Sequence, residues 1–299
     1  MKIPYLLVDA FTERPGSGNR AGLVLDARGL TDAQMRQIAA KLDASESVFV
    51  TDWRGNTFSA RFFTPKREVE FAGHAAIALA AMLAQQGHLP EGERQLILQT
   101  PVDNVQVRIE ESDGGVLRAV MREPAPRFRD PPAWSTIHEL VRALGADERY
   151  LHRGLPVGIA FSGLWSLFLP FIAPGLVDEL QPDMDELARL CAAVGVETAH
   201  AYAPLGPRSY YARDFAPVLG IPEDPVTGSA NGALAALLAR AGVVPRREGS
   251  AEIQVFQGHH LGVPGVVQTR VEYTPDGRPY AVYVGGPAVL AHSGWVALE

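Results

Sequence analysis

The chain has one cysteine, Cys191, and three lysines, Lys2, Lys41 and Lys66. One cysteine can neither close an internal disulfide nor build a thiolate zinc cluster, and such usage fits a reducing compartment. None of the lysines stands where a pyridoxal phosphate enzyme would need its Schiff base. The GSGNRAG segment, Gly16 to Gly22, lacks dinucleotide-fingerprint spacing, and neither a GxxxxGKS/T loop nor an HExxH pair occurs. We therefore expect no cofactor and no metal. Long apolar runs are missing too: the longest helix-like one, Ala75 to Ala84, is about half of the ~18 residues that suggest a membrane span. The N-terminal MKIPYLLVDAFT meets Asp9 too early for a signal peptide. Positive charge is also short, with 27 Lys+Arg against 34 Asp+Glu and a net charge of −7, which gives nucleic acid no basic surface. A cytoplasmic protein follows, with neither nucleic acid nor membrane as partner.

At 299 residues, 47% hydrophobic and 20% charged, the chain can fill a real core and is long enough for two domains. Ile3 to Phe11 and Ala21 to Leu25 read as strands, and Thr31 to Leu42 as a helix with a Thr31/Gln34 capping box. Ser47 to Thr51 and Thr57 to Phe63 flank a turn-rich Asp52 to Asn56, the pattern of a hairpin. An alanine-rich helix is expected from Gly73 to Gln86, closed by Gly87. Gln95 to Gln99, Val105 to Ile109 and Val116 to Met121 read as further strands. Four prolines between Glu123 and Trp134 then mark an inter-domain connection, with a helix starting near Ser135.

An internal repeat decides the architecture. ARFFTP, from Ala60, recurs 152 residues later as ARDFAP, and EVEFAGHAAIALAAML, from Glu68, recurs 155 residues later as EDPVTGSANGALAALL. Upstream, Glu46 of SESVFV falls opposite Glu197 of VETAHA. We expect an α+β protein of two pseudo-symmetric domains, each a curled, mainly antiparallel sheet around a central helix. The domains would span residues 1–127 and 128–299, with the C-terminal strand able to return to the first.

Each repeat starts its long helix at a glycine followed by a polar residue, Gly73-His74 and Gly228-Ser229. Helix starts carry unpaired N–H groups and roughly half a positive charge, so two facing one cleft would hold a carboxylate or enolate. Ordinary capping is the alternative at either helix start alone. Glu46, at the start of SVFV, could take a proton from carbon if partly desolvated, or be an exposed edge glutamate. Asp224, five residues before Ser229, could pair with His74, bind a substrate amine or hydroxyl, or simply cap its loop. Cys191 lies at helical spacing with Leu187 and Leu190 and reads as a buried, inert thiol. His259-His260 lack a third ligand, and Arg127, Arg129 and Arg246-Arg247 read as solvated surface.

VDAFT with the nearby Gly18-Asn19, SESVFV, RFFTP, EFAGHAAIA, EDPVTGSANGAL, QGHHLG (Gln257 to Gly262) and VGG (Val284 to Gly286) together resemble the phenazine biosynthesis PhzF-like family. The resemblance implies the diaminopimelate epimerase fold, with the active site between two domains, and a homodimer. It also implies a cofactor-independent isomerase acting on trans-2,3-dihydro-3-hydroxyanthranilate or a related small carboxylate. In that reading Glu46 is the acid/base, His74, Asp224 and Ser229 line the active site, and Gly73 and Gly228 contact the anion. Arg20 where the family usually has proline, Val263 where it has arginine, and Glu70 in place of a common proline leave the site residues intact but can reshape the pocket. An epimerase or racemase of an amino or hydroxy acid, with Asp224 as second acid/base, and a non-catalytic binding protein remain the alternatives.

Overall fold

The structure, a computed structural model, describes residues 1–101, 103–111 and 114–298. It is an α+β protein of two compact units, Met1–Arg122 with Gly285–Glu299, and Glu123–Val284.

In the first unit β1 (Lys2–Ala10) runs antiparallel to β2 (Asn19–Val24). Between them Gly18 holds φ +70°, and a Cβ there would meet the Ala10 carbonyl oxygen at 2.1 Å, so only glycine closes this turn. Helix α1 (Asp32–Lys41) follows, and the Thr31/Gln34 capping box is formed as expected. β3 (Glu46–Arg54) lies parallel to β2 and antiparallel to β4 (Thr57–Phe63). The hairpin is there, but a register shift between Val50 and Asp52 lets β3 continue to Arg54 and shortens the expected turn to Gly55-Asn56. After the two-residue β5 (Glu68–Val69) comes α2 (Gly73–Gln85), and then the antiparallel run of β6 (Gln95–Gln99), β7 (Asn104–Glu111) and β8 (Leu117–Arg122). β4 also pairs with β6, in parallel.

The second unit opens with β9 (Arg127–Arg129), inside the proline-rich segment expected to be a bare connection. Its three residues contain no proline, so their donors are free to pair at the edge of β10 (Gly158–Phe161). Helix α3 (Trp134–Ala143) lies between these two strands in the chain. β10 is antiparallel to β11 (Trp165–Pro170). The short α4 (Pro174–Asp178) and α5 (Met184–Val194) lead to β12 (Thr198–Gly206), parallel to β11, and β13 (Ser209–Ala216), antiparallel to β12. Then come β14 (Ile221–Asp224), α6 (Gly228–Arg240), and β15 (Ser250–Gln257), which pairs in parallel with β13 and antiparallel with β16 (Gly265–Tyr273). β17 (Pro279–Ala297) ends the chain and supplies antiparallel partners to β1 along Ala288 to Ala297. Among the described residues no helix is long and apolar enough to cross a membrane.

The sequence repeat is a repeat of pairing order. β2, α1, β3, β4, β5, α2, β6, β7 in one unit match β11, α5, β12, β13, β14, α6, β15, β16 in the other, with the same parallel and antiparallel partners. α2 is buried from Ala75 through Leu83 and α6 from Ala230 through Ala239. Helices apolar on every side are stable only when enclosed, and small alanines let strands approach closely.

One ion pair repeats with them. Arg61 on β4 forks onto Glu68 at 2.7–2.8 Å and reaches Asp32, while Arg213 on β13 forks onto Glu223 at 2.7–2.9 Å. Arg213 also donates to the carbonyls of Val177, Asp178 and Leu180. The Arg213 side chain is 4% exposed and that of Arg61 27%. Arg213→Met therefore strands a buried carboxylate and three carbonyls and should cost about 3–5 kcal/mol, whereas Arg61→Met should cost about 1 kcal/mol or less. Urea unfolding at pH 7 checks the contrast, and equal losses would contradict it.

Candidate functional site

Glu46 is the first residue of β3, held in parallel register opposite Ala21. His74 is the second residue of α2, and its Nε2 lies 3.5 Å from Glu46 Oε2 and 3.4 Å from Ser45 Oγ. Both side chains are mostly buried yet keep an exposed margin, at 17% for Glu46 and 11% for His74. Ser45 also donates to the Arg20 carbonyl at 3.5 Å. The Arg20 guanidinium is in turn fixed by the buried Asp9 at 2.8 Å, and Asp9 accepts from the Gly16 amide at 2.7 Å. This chain of contacts ties the glycine turn after β1 to the segment that presents Glu46.

Gly73 begins α2 after Ala72, whose side chain offers no cap. The first amides of α2 thus find no side-chain partner at the N-cap, which leaves them suited to an anion. A Cβ on Gly73 would be 3.6 Å from Met121 Cε, ordinary contact, so packing does not demand glycine at this position.

In the second unit Gly228 and Ser229 begin α6, again with no side-chain bond at the N-cap, Thr227. The Thr227 hydroxyl donates instead to Asp224 Oδ2 at 2.6 Å, and Gln257 bonds the Asp224 carbonyl, the Thr227 amide and the Asn231 amide group. Asp224 and Gln257, the glutamine that opens QGHHLG, thereby shape the loop that feeds α6. Glu197, the repeat partner of Glu46, accepts from the Trp165 amide at 2.6 Å. One glutamate of the repeat is thus tied to the start of β11, while the other faces a histidine.

Sequence patterns missed Glu123. It follows β8 inside the proline-rich segment, and nothing in its spacing sets it apart. Its amide donates to the Val282 carbonyl, and the residue is 6% exposed. Its side chain packs around Gly163 and against α6: Oε2 lies 3.4 Å from where a Gly163 Cβ would sit, and Cγ lies 3.7 Å from that point on Gly232. Burial alone pushes its carboxyl up to about 8.

Other expectations have simple outcomes. Cys191 is buried, and desolvation raises its thiol to about 12. Arg127, Arg129 and Arg246 are exposed as expected, and their guanidinium groups also lie 3.9, 3.7 and 3.8 Å from the ring centroids of Phe161, Trp165 and Tyr273. His259 packs beside Tyr211, and among the described residues no group of three or more His, Cys, Asp and Glu gathers to hold a metal. A cavity of about 530 Å³ in the second unit, lined by Trp134, His138, Arg149 and His152, borders none of the residues above.

Residues 8–294 match the phenazine biosynthesis-like protein family, PhzC-PhzF. The chain belongs to that family. It is 47% identical to a Deinococcus radiodurans protein named as an uncharacterized isomerase, across 97% of this chain and 93% of that one. It is 30% identical to the trans-2,3-dihydro-3-hydroxyanthranilate isomerase of Pseudomonas chlororaphis, across 98% and 99%. The crystal structure of a Bacillus anthracis phenazine biosynthesis protein of the PhzF family superposes over all of both chains with TM-score 0.91 at 27% identity. The chain is an isomerase of this PhzF-like family.

A buried carboxyl with a raised pKa makes a signed prediction. Between about pH 4.5 and 8 the folded state holds the Glu123 proton more tightly than the unfolded state, so wild-type stability falls as pH rises through that window. Glu123→Gln should gain on the order of 3 kcal/mol relative to wild type between pH 5 and pH 9. Urea unfolding across that range measures it, and a constant difference would contradict the raised pKa.

Proposed function

We propose that the chain isomerises a small carboxylate metabolite without a cofactor, with Glu46 as the group that takes a proton from one carbon and returns it to another. The observation that carries this is the Glu46 carboxylate 3.5 Å from His74 Nε2 at the uncapped start of α2. In the proposed step Glu46 removes a C–H proton, and the electron pair delocalises towards the substrate carboxylate. The same carboxyl, now protonated, delivers the proton to a different carbon of the conjugated system. His74 positions Glu46 and donates to developing charge, and the amides beginning at Gly73 stabilise the anion.

Trans-2,3-dihydro-3-hydroxyanthranilate is the first substrate to try, because a relative identical at 30% over nearly the whole chain is named for it. There the proton would leave C3 and arrive at another ring carbon, producing a ketone. By the same reasoning the first amides of α6, with Ser229, are an anion contact of the second unit, and Asp224 shapes their loop. An epimerase or racemase ranks lower, because its second acid/base, Asp224, already accepts the Thr227 hydroxyl at 2.6 Å. We also assign each unit to the diaminopimelate epimerase-like type, a mainly antiparallel sheet around one helix, on the strength of the repeated pairing order. A cytoplasmic homodimer is part of the proposal by resemblance to the family.

Proton NMR in deuterated buffer, first with the dihydro-hydroxyanthranilate and then with other small carboxylic acids, tests the proposal. Wild type should move hydrogen between carbons with solvent deuterium entering the product. Glu46→Gln should unfold at the same urea concentration yet lose about 10²–10⁴-fold in turnover. Near-wild-type turnover in that variant removes Glu46 from the mechanism, and exchange at a single stereocentre without migration would favour the epimerase.

A further inference from the structure

The start of α6 has a second carboxyl beside it that the proposed proton shuttle does not use. Glu123 Oε2 and Ser229 Cβ both lie within 3.4 Å of the point where a Gly163 Cβ would sit, so Gly163 is the gap across which the two side chains approach. Gly163 holds φ +110°, and a Cβ would come within 3.0 Å of Ser229. A larger residue is excluded by both conformation and space. Gly232, one turn into α6, has Glu123 Cγ 3.7 Å from its Cβ position, so the carboxyl lies along the first turn of the helix. The loop carrying Gly163 is pinned by Ser162, whose hydroxyl donates to the Pro124 carbonyl at 3.2 Å. Thus Pro124, next to Glu123, and Gly163 are tied together.

Glu123 is 6% exposed, and among the described residues no side chain or backbone group is hydrogen-bonded to its carboxyl oxygens. A buried carboxyl group without a partner costs free energy that a purely structural residue has no reason to bear. Ser229, which approaches it across the Gly163 position, is half-buried, as is the neighbouring Gly228. We propose that Glu123 is a substrate-contacting, specificity-determining residue, its carboxylic acid O–H donating to an anionic oxygen of the small carboxylate bound at the start of α6 beside Ser229.

The site is then composed of donors: the α6 amides, the Ser229 hydroxyl and one acid proton. Such a set selects a carboxylate or enolate oxygen over an amine. The groups packed on Glu123 are uncharged, namely Gly163 from the β10–β11 loop, Ser229 and Gly232 from α6, and the Val282 carbonyl from β17. Asp224, the last residue of β14, is the carboxylate nearest in sequence to that helix start and accepts the Thr227 hydroxyl. Burial holds Glu123 neutral up to about pH 8. Above that pH it becomes a carboxylate and repels the ligand it held.

The inference rests on the reading of the substrate as a small carboxylate, and its test uses binding rather than turnover. The probe is 3-hydroxyanthranilate, the stable aromatic analogue of the relative's substrate, titrated calorimetrically into the full-length protein from pH 6 to 9.5. Wild type should bind with an affinity that falls about tenfold per pH unit above about 8. Glu123→Gln keeps an N–H donor, so it should bind within about threefold of wild type at pH 7 and lose the alkaline fall. Glu123→Leu should bind about tenfold or more weakly at pH 7. Unfolding curves of both variants report whether they fold. An alkaline fall that persists in Glu123→Gln, wild-type affinity in Glu123→Leu, or no binding by wild type each overturns the role of Glu123. Normal Glu123-dependent binding without hydrogen migration would instead overturn the proton shuttle at Glu46 and leave this inference standing.

Discussion

Two helices that are apolar on every side set the terms for the whole protein. An exposed helix needs a polar face, and neither α2 nor α6 has one from its second turn onward. Each must be enclosed by strands, and the strands that enclose it are drawn from before and after it in sequence. That requirement explains why β3 and β12 bury four and six consecutive residues, whereas β15 and β16 alternate between buried and open positions.

Enclosure has a consequence for chemistry. A helix wrapped along its length offers solvent mainly its ends, and its N-terminal end is where amides lack internal partners. Both long helices begin at glycine without a side-chain cap, so the same constraint that builds each core also yields a ready anion contact at the helix start. Around these two equivalent starts the side chains have diverged. The first unit places a glutamate, a histidine and a serine together, with the buried Asp9 paired to the partly exposed Arg20 behind them. The second turns the corresponding glutamate to the Trp165 amide and supplies Ser229, a tied Asp224 and the buried Glu123.

The repeated arginine pair shows the same divergence in stability. Arg61 sits in a wet three-charge cluster, while Arg213 is sunk among carbonyls that only a full guanidinium fork can satisfy. Similar local sequence, ARFFTP and ARDFAP, thus leads to different energetic weight, because Arg213 reaches the carbonyls of Val177, Asp178 and Leu180 whereas Arg61 reaches the exposed Asp32.

The sequence by itself determined the α+β class, the repeat, both glycine-started helices, the capping box and the placement of Glu46 and His74 at the head of a strand and a helix. Those features are written in local periodicity, turn chemistry and self-similarity, which act over a few residues or at a fixed displacement. Tertiary structure alone decided that Ser45 and Glu46 meet His74, that Asp224 is held by Thr227 and Gln257, and that β9 forms between prolines. It also decided the status of Glu123, an ordinary residue in a proline-rich segment until Gly163, Ser229 and Gly232 close around it. Burial and proton affinity depend on groups far away in the chain, and no local pattern of residue types records them.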